Sequence, residues 1–281
     1  MLAALLILAL GCRKKNTELP PEQSDVSDIF DIAEAMNMFY GNYDAKAQTS
    51  VVSLPKEKSS LPAPGEEQMT VRPLFSTFNS GAQSFVLATY AVPSGDSYDC
   101  HACAPIIGMA VFSQKGLKWT MDASNRAITI AGGWGKPPAD IKLVQIGPSQ
   151  YAVELMDSGG GQGETTKVLD LLIPWNSTVN LGLERIIADD DNGLCDPNGG
   201  LPCYANQRSV TFIRNEKAEF YDLQLELTGT DLTESKGTST RARKVHGLEI
   251  LKVENGRYTQ VSRQGDLTAV DHVVAERENL R

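Results

Sequence analysis

The chain has 281 residues, of which 41% are hydrophobic and 22% are charged, so it can bury a sizeable core and is not a disordered chain. Its 35 acidic and 26 basic residues give a formal charge of −9, which disfavours nucleic acid as a partner because a nucleic-acid-binding face must be basic. No apolar run reaches about 18 residues, which excludes a protein built from membrane-spanning helices.

An uncharged apolar segment opens the chain and ends in a small residue followed by Cys12. This pattern is typical of a secretory signal peptide, which we predict over residues 1–11. The segment Ala9-Leu10-Gly11-Cys12 resembles the lipobox of bacterial lipoproteins. The resemblance implies cleavage before Cys12, a lipid on its thiol, and attachment to the cell envelope at the outer membrane or its periplasmic face. A buried N-terminal strand and a signal anchor are the alternatives, although eleven residues form a helix of only about 16 Å.

A tether and a helix are predicted next along the chain. Residues 12–23 are polar and contain two prolines, which favours a tether between a lipid anchor and a folded body. Residues 24–43 are predicted to contain a helix that docks on this body, with Ser24 or Ser27 as N-cap and Gly41 at its end. Its predicted docking face consists of apolar residues at helical spacing, namely Ile29, Ile32, Ala33, Met36, Phe39 and Tyr40.

The remainder of the chain is dominated by β signals. Residues 44–68 are rich in Lys, Ser, Pro and Glu and are predicted to form a linker or a long loop. Residues 69–264 form a series of short β-rich runs, and residues 221–228 alternate apolar and polar as in a strand with one buried face. Few helical segments interrupt the series, so the predicted fold class is mainly β: an antiparallel β-sandwich or barrel-like body with a short N-terminal helix. Residues 265–281 are predicted to be a charged C-terminal tail. The predicted strands cover residues 72–78, 84–92, 107–113, 118–121, 127–131, 141–146, 151–156, 166–173, 181–187, 210–214, 221–228, 245–253 and 258–263.

Four of the five cysteines remain in the exported body if Cys12 carries a lipid. An even number of cysteines in an oxidising compartment predicts disulfide bonds, and four cysteines allow three pairings. We expect two local bridges, Cys100 to Cys103 and Cys195 to Cys203, because each pair is close in sequence and turn residues separate the second pair. The alternatives are redox chemistry at the first pair, which lacks a helix to lower a thiol pKa, and a four-thiolate zinc site.

Two further segments contain residue types that carry chemistry in other proteins. Asp157-Ser158-Gly159-Gly160 superficially resembles the nucleophile segment of chymotrypsin-like proteases, but a triad also needs a histidine base, and the only upstream histidine is His101. A glycine-rich hairpin turn is the expected structure there. Residues 189–196 form an acidic loop whose oxygens suit calcium, although the EF-hand register fails and a solvated turn is the alternative. The candidate ligands of a weak calcium site are Asp189, Asp191 and Asp196.

The features together predict an exported, lipid-anchored bacterial envelope protein. Its expected function is that of a non-catalytic binding or scaffolding module, with the membrane as one partner and an unknown envelope protein or small ligand as another. The alternatives are an exported hydrolase whose site is assembled from distant residues, and a periplasmic thiol–disulfide protein that uses Cys100 and Cys103. No catalytic residue is assigned, and calcium is the only cofactor considered.

Overall fold

The structure is a computed structural model that describes residues 30–55, 66–95, 98–161, 163–193, 195–196, 202–233 and 241–266. The predicted signal peptide, Cys12, the tether and most of the predicted C-terminal tail lie outside these residues. The described elements are one helix and thirteen strands, which confirms the mainly β fold class. They are α1 (Ile32–Phe39), β1 (Ser50–Pro55), β2 (Glu66–Asn79), β3 (Ser84–Pro93), β4 (Ile106–Lys115), β5 (Lys118–Ile130), β6 (Asp140–Gln145), β7 (Tyr151–Gly161), β8 (Glu164–Trp175), β9 (Thr178–Asp190), β10 (Ala205–Ile213), β11 (Asp222–Thr233), β12 (Arg241–Glu254) and β13 (Arg257–Gly265).

No helix within the described ranges is long and apolar enough to cross a membrane.

The helix α1 begins and ends at residues with distinct capping geometry. The Asp31 carboxylate accepts a hydrogen bond from the Glu34 amide at 2.9 Å, so Asp31 is the N-cap of α1, and the predicted N-caps Ser24 and Ser27 lie outside the described residues. At the other end Gly41 has φ +75°, the left-handed conformation that commonly follows a helix, and the predicted end is confirmed.

The docking face of α1 is rotated slightly from the predicted one. Met36 and Phe39 are buried as predicted. Ala35 is also fully buried, however, whereas Ile32 is 37% exposed. Met36 and Phe39 pack in the same core cluster as Ala35. The small residue beside them in the core is therefore Ala35, whereas Ile32 turns toward solvent.

Three antiparallel meanders make up the β body. Strands β1 to β5 pair in sequence order, as do β6 to β9 and β10 to β13. The meanders meet at β9, which pairs with β8 along its length and with β10 at its C-terminal end. A single parallel residue pair, Ser124 with Thr178, joins β5 to β9. The described strands form an open system in which β1, β6 and β13 each pair with one neighbour, which favours the sandwich-like arrangement over a closed barrel.

Apolar clusters stack these meanders into layers. One cluster lies between α1 and the β1–β5 meander, a second between the β1–β5 and β6–β9 meanders, and a third between the β6–β9 and β10–β13 meanders. The neighbouring residues Leu171 and Leu172 of β8 belong to the third and the second cluster, respectively. Because successive side chains of a strand point to opposite faces, β8 is buried on both sides, which explains its nearly continuous apolar sequence.

Three charged residues are placed between the last two layers. Glu249 of β12 is 1% exposed and lies on the same strand face as the buried residues Val245 and Leu251. One Glu249 carboxylate oxygen is 3.7 Å from Nη2 of Arg208, and the other is 3.9 Å from Nε of Arg185. Nη1 of Arg208 donates to the Ile186 carbonyl oxygen at 2.7 Å. The layers are therefore joined by an ionic cluster of Arg185, Arg208 and Glu249, in which Arg208 and Glu249 are buried and Arg185 is partly exposed.

The largest differences from the predicted elements are at residues 44–68 and in β5. The segment 44–68, predicted to be a linker or loop, contains β1, and β2 already begins at Glu66. The strand β1 is short and, among the described strands, pairs with β2 alone, with Ser50 opposite Val71 and Pro55 opposite Glu66. An edge strand of this kind needs little apolar alternation in its sequence. The two runs predicted at 118–121 and 127–131 are joined in β5, whose pairing with β4 contains two register shifts.

The contact between Arg126 and α1 yields a testable prediction. Nε and Nη2 of Arg126 donate to the Phe39 carbonyl oxygen at 3.1 and 2.6 Å, and the guanidinium lies 5.3 Å from the centre of the Tyr40 ring. We expect Arg126→Ala to lower the free energy of unfolding by about 1.5–3 kcal/mol, the usual contribution of hydrogen bonds to a charged group. The hydrogen-exchange rate of the α1 amides should rise in the same variant. The stability and exchange rate of Arg126→Lys should lie between those of the wild type and of Arg126→Ala. Unchanged exchange in α1 would contradict this role.

Candidate functional site

The Cys100–Cys103 disulfide closes a turn that precedes β4. The two Cα atoms are 4.9 Å apart, and the Cys103 amide donates to the Cys100 carbonyl oxygen at 2.9 Å. The second bridge joins Cys195 to Cys203, so both predicted pairings are confirmed. No helix begins at Cys103; the chain enters β4 at Ile106 instead. Two disulfides of this kind are typical of proteins in an oxidising compartment outside the cytoplasm.

A second tight turn packs against this disulfide turn. The Gly133 and Lys136 backbones exchange hydrogen bonds of 3.1 and 2.9 Å around Trp134 and Gly135. Both central residues have positive φ, +55° for Trp134 and +66° for Gly135, as in a type I′ turn. A Cβ atom on Gly135 would lie 2.1 Å from the Tyr98 carbonyl oxygen, so only glycine fits there. A tryptophan in the left-handed region is uncommon and indicates that its surroundings enforce the conformation.

Hydrogen bonds between the two turns hold Trp134 in its left-handed backbone conformation. The Trp134 amide donates to the Cys100 carbonyl oxygen at 3.0 Å, and the Gly135 amide donates to the Cys103 carbonyl oxygen at 2.7 Å. The rings of His101 and Trp134 meet edge to face with centroids 5.6 Å apart. The disulfide turn therefore holds Trp134 in place, and 52% of this large apolar residue is exposed to solvent.

The Trp134 turn forms one wall of a cleft of about 870 Å³. The opposite wall is the hairpin of β7 and β8. The apolar lining of the cleft includes Trp134, Pro137, Pro138, Ala139, Met156 and Val168. The charged lining of the cleft consists of Lys136, Asp140, Asp157, Glu164 and Lys167. Apolar surface combined with a few polar groups is typical of a binding pocket.

Two side-chain contacts attach the loops to β7. Nε2 of His101 donates to the Gly160 carbonyl oxygen at 3.0 Å, which places the ring proton on Nε2. The Gly132 amide donates to the Asp157 carboxylate at 2.9 Å. These bonds join residues that are 59 and 25 positions apart in the sequence and fix the width of the cleft.

The protease-like segment lies in this cleft, but not as the predicted turn. Residues 157–161 form the end of β7 and pair with β8 through Gly161 and Glu164, so the hairpin turn comes later than expected. The glycines form strand here because the partner β8 supplies the pairing that their low β propensity does not. His101, Ser158 and Asp157 all line this cleft. However, His101 and Asp157 both use their hydrogen bonds on backbone groups, so the serine, base and carboxylate geometry of a triad is not formed by these described residues.

The acidic loop uses several of its carboxylates for protein contacts, and Asp190 accepts a hydrogen bond from the Asn192 amide at 3.2 Å. Asp189 accepts hydrogen bonds from the Thr166 and Tyr204 hydroxyls at 3.1 and 3.2 Å, and Asp191 accepts one from the Tyr204 amide at 2.7 Å. Within the described residues, no three His, Cys, Asp or Glu side chains converge as a metal site would require. The calcium site at Asp189, Asp191 and Asp196 stays a prediction, which a calcium-specific rise in melting temperature would support.

The environment of Asp189 predicts a pH-dependent effect on stability. Burial raises the pKa of the Asp189 carboxyl, and the nearby charges of Asp190 and Asp191 raise it further. The folded state thus binds this proton more tightly than the unfolded state, so stability falls as the pH rises from about 4 through the raised pKa. We expect Asp189→Asn to increase the free energy of unfolding at neutral pH by about 1 kcal/mol or less. In urea titrations the difference should vanish below about pH 3; an equal difference at both pH values would contradict the prediction.

Sequence reasoning did not identify Trp134 or the neighbouring Lys136 as site residues. The available signal was the segment Gly132-Gly133-Trp134-Gly135, in which a large aromatic residue stands among turn-forming glycines. The cysteine pattern predicted the disulfide turn that contains His101, but it assigned no function to His101. In comparisons with known proteins, no family model, no curated protein and no solved structure matches the chain.

Proposed function

We propose that the chain is an exported, lipid-anchored bacterial envelope protein that acts as a non-catalytic binding module, and that the cleft beside the Cys100–Cys103 bridge is its binding site. The observation that carries the proposal is the exposed Trp134, held in an unfavourable backbone conformation by hydrogen bonds to a disulfide turn. Backbone strain that the surroundings enforce is common at ligand-binding positions.

Export and anchoring are supported by separate features. The two disulfide bonds fit an oxidising compartment. The apolar segment that ends at Cys12 resembles a lipoprotein signal peptide, and the polar residues 12–23 supply a tether that lets the body reach a partner.

A hydrolase is the second candidate, because His101, Ser158 and Asp157 line the same cleft. Binding is favoured over hydrolysis since the His101 ring donates to a backbone carbonyl and Asp157 accepts from a backbone amide. A fluorophosphonate probe, which labels activated serines, separates the two functions. Labelling at Ser158 that His101→Ala abolishes would favour the hydrolase.

The thiol–disulfide alternative is less well supported by the geometry. Cys100 and Cys103 lie in a turn, and the chain continues into a strand, so no helix N-terminus stabilises a thiolate there. A redox function predicts that one disulfide titrates readily with mild reductant in the native protein, whereas structural bridges resist it.

The lipid anchor is tested by the variant Cys12→Ser. We expect the wild-type chain in the membrane fraction of a bacterial host, with an acyl mass on the peptide that begins at Cys12. The variant should be released or remain unprocessed while its body folds normally, because the tether separates the anchor from the fold. Asn16→Ser, a serine substitution in the tether, is the matched control and should behave as wild type. A wild-type chain that is water-soluble without detergent and lacks acyl mass would contradict the anchor.

A further inference from the structure

The edge of strand β7 that faces the cleft has no described strand partner over its last five residues, and the described contact there is that of the His101 ring with the Gly160 carbonyl. β7 has eleven residues and β6 has six, and the six pair with residues 151–156 of β7. Residues 157–161 pair with β8 on one side, and no other described strand pairs with them. An open strand edge presents backbone donors and acceptors to an incoming chain.

The sequence before β6 explains why the edge stays open. Pro137 and Pro138 lack amide protons and cannot extend the ladder of β6 along β7. The chain instead turns away through the tight turn at Trp134. The tight turn and residues 157–161 of β7 line the same cleft.

The contact of His101 shows which backbone groups face the cleft. His101 donates to the Gly160 carbonyl oxygen, so that carbonyl points toward the cleft. In an antiparallel strand the amide and carbonyl of one residue point to the same side, and alternate residues share it. The Gly160 amide and both backbone groups of Ser158 therefore also point into the cleft, and no backbone group of the described residues bonds them there.

The surroundings of this edge suit an extended chain. Gly159 has no described atom within 4 Å of the position where a Cβ atom would be, so the sheet face is uncovered at this residue. The exposed Trp134 offers an apolar contact in the same cleft. The charged lining has three carboxylates and two ammonium groups, in a chain whose formal charge is −9. This excess of negative charge is complementary to a positively charged partner.

We propose that the cleft binds an extended, positively charged peptide segment of a partner protein, which adds as a strand to residues 157–161 of β7 and packs an apolar side chain on Trp134. Five residues of strand span about 16 Å, and main-chain hydrogen bonds supply recognition in this mode of peptide binding. The inference rests on the proposed function, because it names the ligand class of the same cleft.

The test begins with a phage-displayed library of random peptides of about ten residues, selected on the full-length chain in mild detergent. Enriched peptides are synthesised in two forms, with N-methyl groups on one or the other set of alternate amides. Strand addition predicts that methylation of the set facing β7 weakens binding at least about tenfold, while methylation of the other set changes it less than about twofold. Amide resonances of Ser158 and Gly160 should shift on binding.

Protein variants provide the reciprocal test. Ser158→Pro removes one cleft-facing amide, and Trp134→Ala removes the apolar contact; each should weaken binding at least about tenfold. If Ser158→Pro does not fold, the two methylated peptides decide the question on the unaltered protein. Leu117→Ala, at a residue that is 95% exposed and outside the cleft, is the control and should bind normally.

The opposing results separate this inference from the proposed function. Equal tolerance of both methylation patterns, or no enriched peptide, would overturn strand addition. A chitin tetrasaccharide that shifts the Trp134 indole signal, when no peptide does so, would likewise overturn it while leaving a binding function in place. If neither probe perturbs the cleft, both the peptide inference and the proposed binding function fail.

Discussion

Replacing Glu249 by alanine is expected to lower the free energy of unfolding by about 3–5 kcal/mol, the usual effect of removing one partner from a buried ion pair. The variant removes the carboxylate whose two oxygens lie within 4 Å of Arg185 and Arg208, at a position where Glu249 is 1% exposed. Such a loss is a large share of the stability of an ordinary domain. Urea unfolding followed by circular dichroism measures it.

Two further variants show whether burial causes the effect. Glu226→Ala removes an exposed carboxylate that pairs with His246 at 3.2 Å, and it should change stability by less than about 1 kcal/mol. Replacing all three members of the ionic cluster by Leu or Met should recover most of the loss, because well-packed apolar residues often substitute for a buried ionic cluster. A loss below about 1 kcal/mol for Glu249→Ala would mean that the cluster does not stabilise the layered fold.

Removing either disulfide is expected to destabilise the chain, but only the Cys100–Cys103 bridge should be needed by the cleft. In the chain-entropy model, closing four residues stabilises by roughly 1.9 kcal/mol and closing nine by roughly 2.6 kcal/mol. The serine double variant at Cys100 and Cys103 should therefore be the milder of the two in urea. It should nevertheless mobilise Trp134, whose turn hydrogen-bonds to the carbonyl groups of both cysteines.

The Cys195–Cys203 double variant is the matched control for this second prediction. The described lining of the cleft contains no residue of that bridge. Fluorine NMR of indole-labelled protein, with the Trp134 signal assigned through Trp134→Phe, distinguishes the variants. The Trp134 signal should shift or broaden without the Cys100–Cys103 bridge and stay unchanged without the other. The opposite pattern would contradict the role of the disulfide turn in holding Trp134.

The strands, turns and disulfides were accessible from the sequence because each depends on local patterns. Residues 221–228 alternate along β11 in the structure as they do in the sequence, and Asn255-Gly256 forms the expected turn with both residues at positive φ. Strand β1 was not predicted because a short edge strand needs few apolar residues and shows little alternation of apolar and polar residues. The glycines at the end of β7 have the composition of a turn and form strand only through pairing with β8.

The cleft could be predicted only in part, because long-range contacts assemble it. The cysteine spacing located the loop of His101, but nothing local indicates that this ring reaches Gly160 or that Trp134 bonds to Cys100. In the acidic loop, by contrast, the local sequence indicated a site that the structure uses differently. Its composition suggested calcium ligands, whereas the fold uses Asp189 and Asp191 as hydrogen-bond acceptors.

Site-specific crosslinking in living cells tests most directly whether this cleft binds an envelope partner. In one strain a photoreactive residue is placed at position 136, which lines the cleft. In a second strain it is placed at position 117, an exposed residue in the turn between β4 and β5. The predicted result is a crosslinked product in the membrane fraction from position 136 alone, lost when Trp134→Ala is added. The same products from both positions, or none from position 136, would contradict a binding function for the cleft.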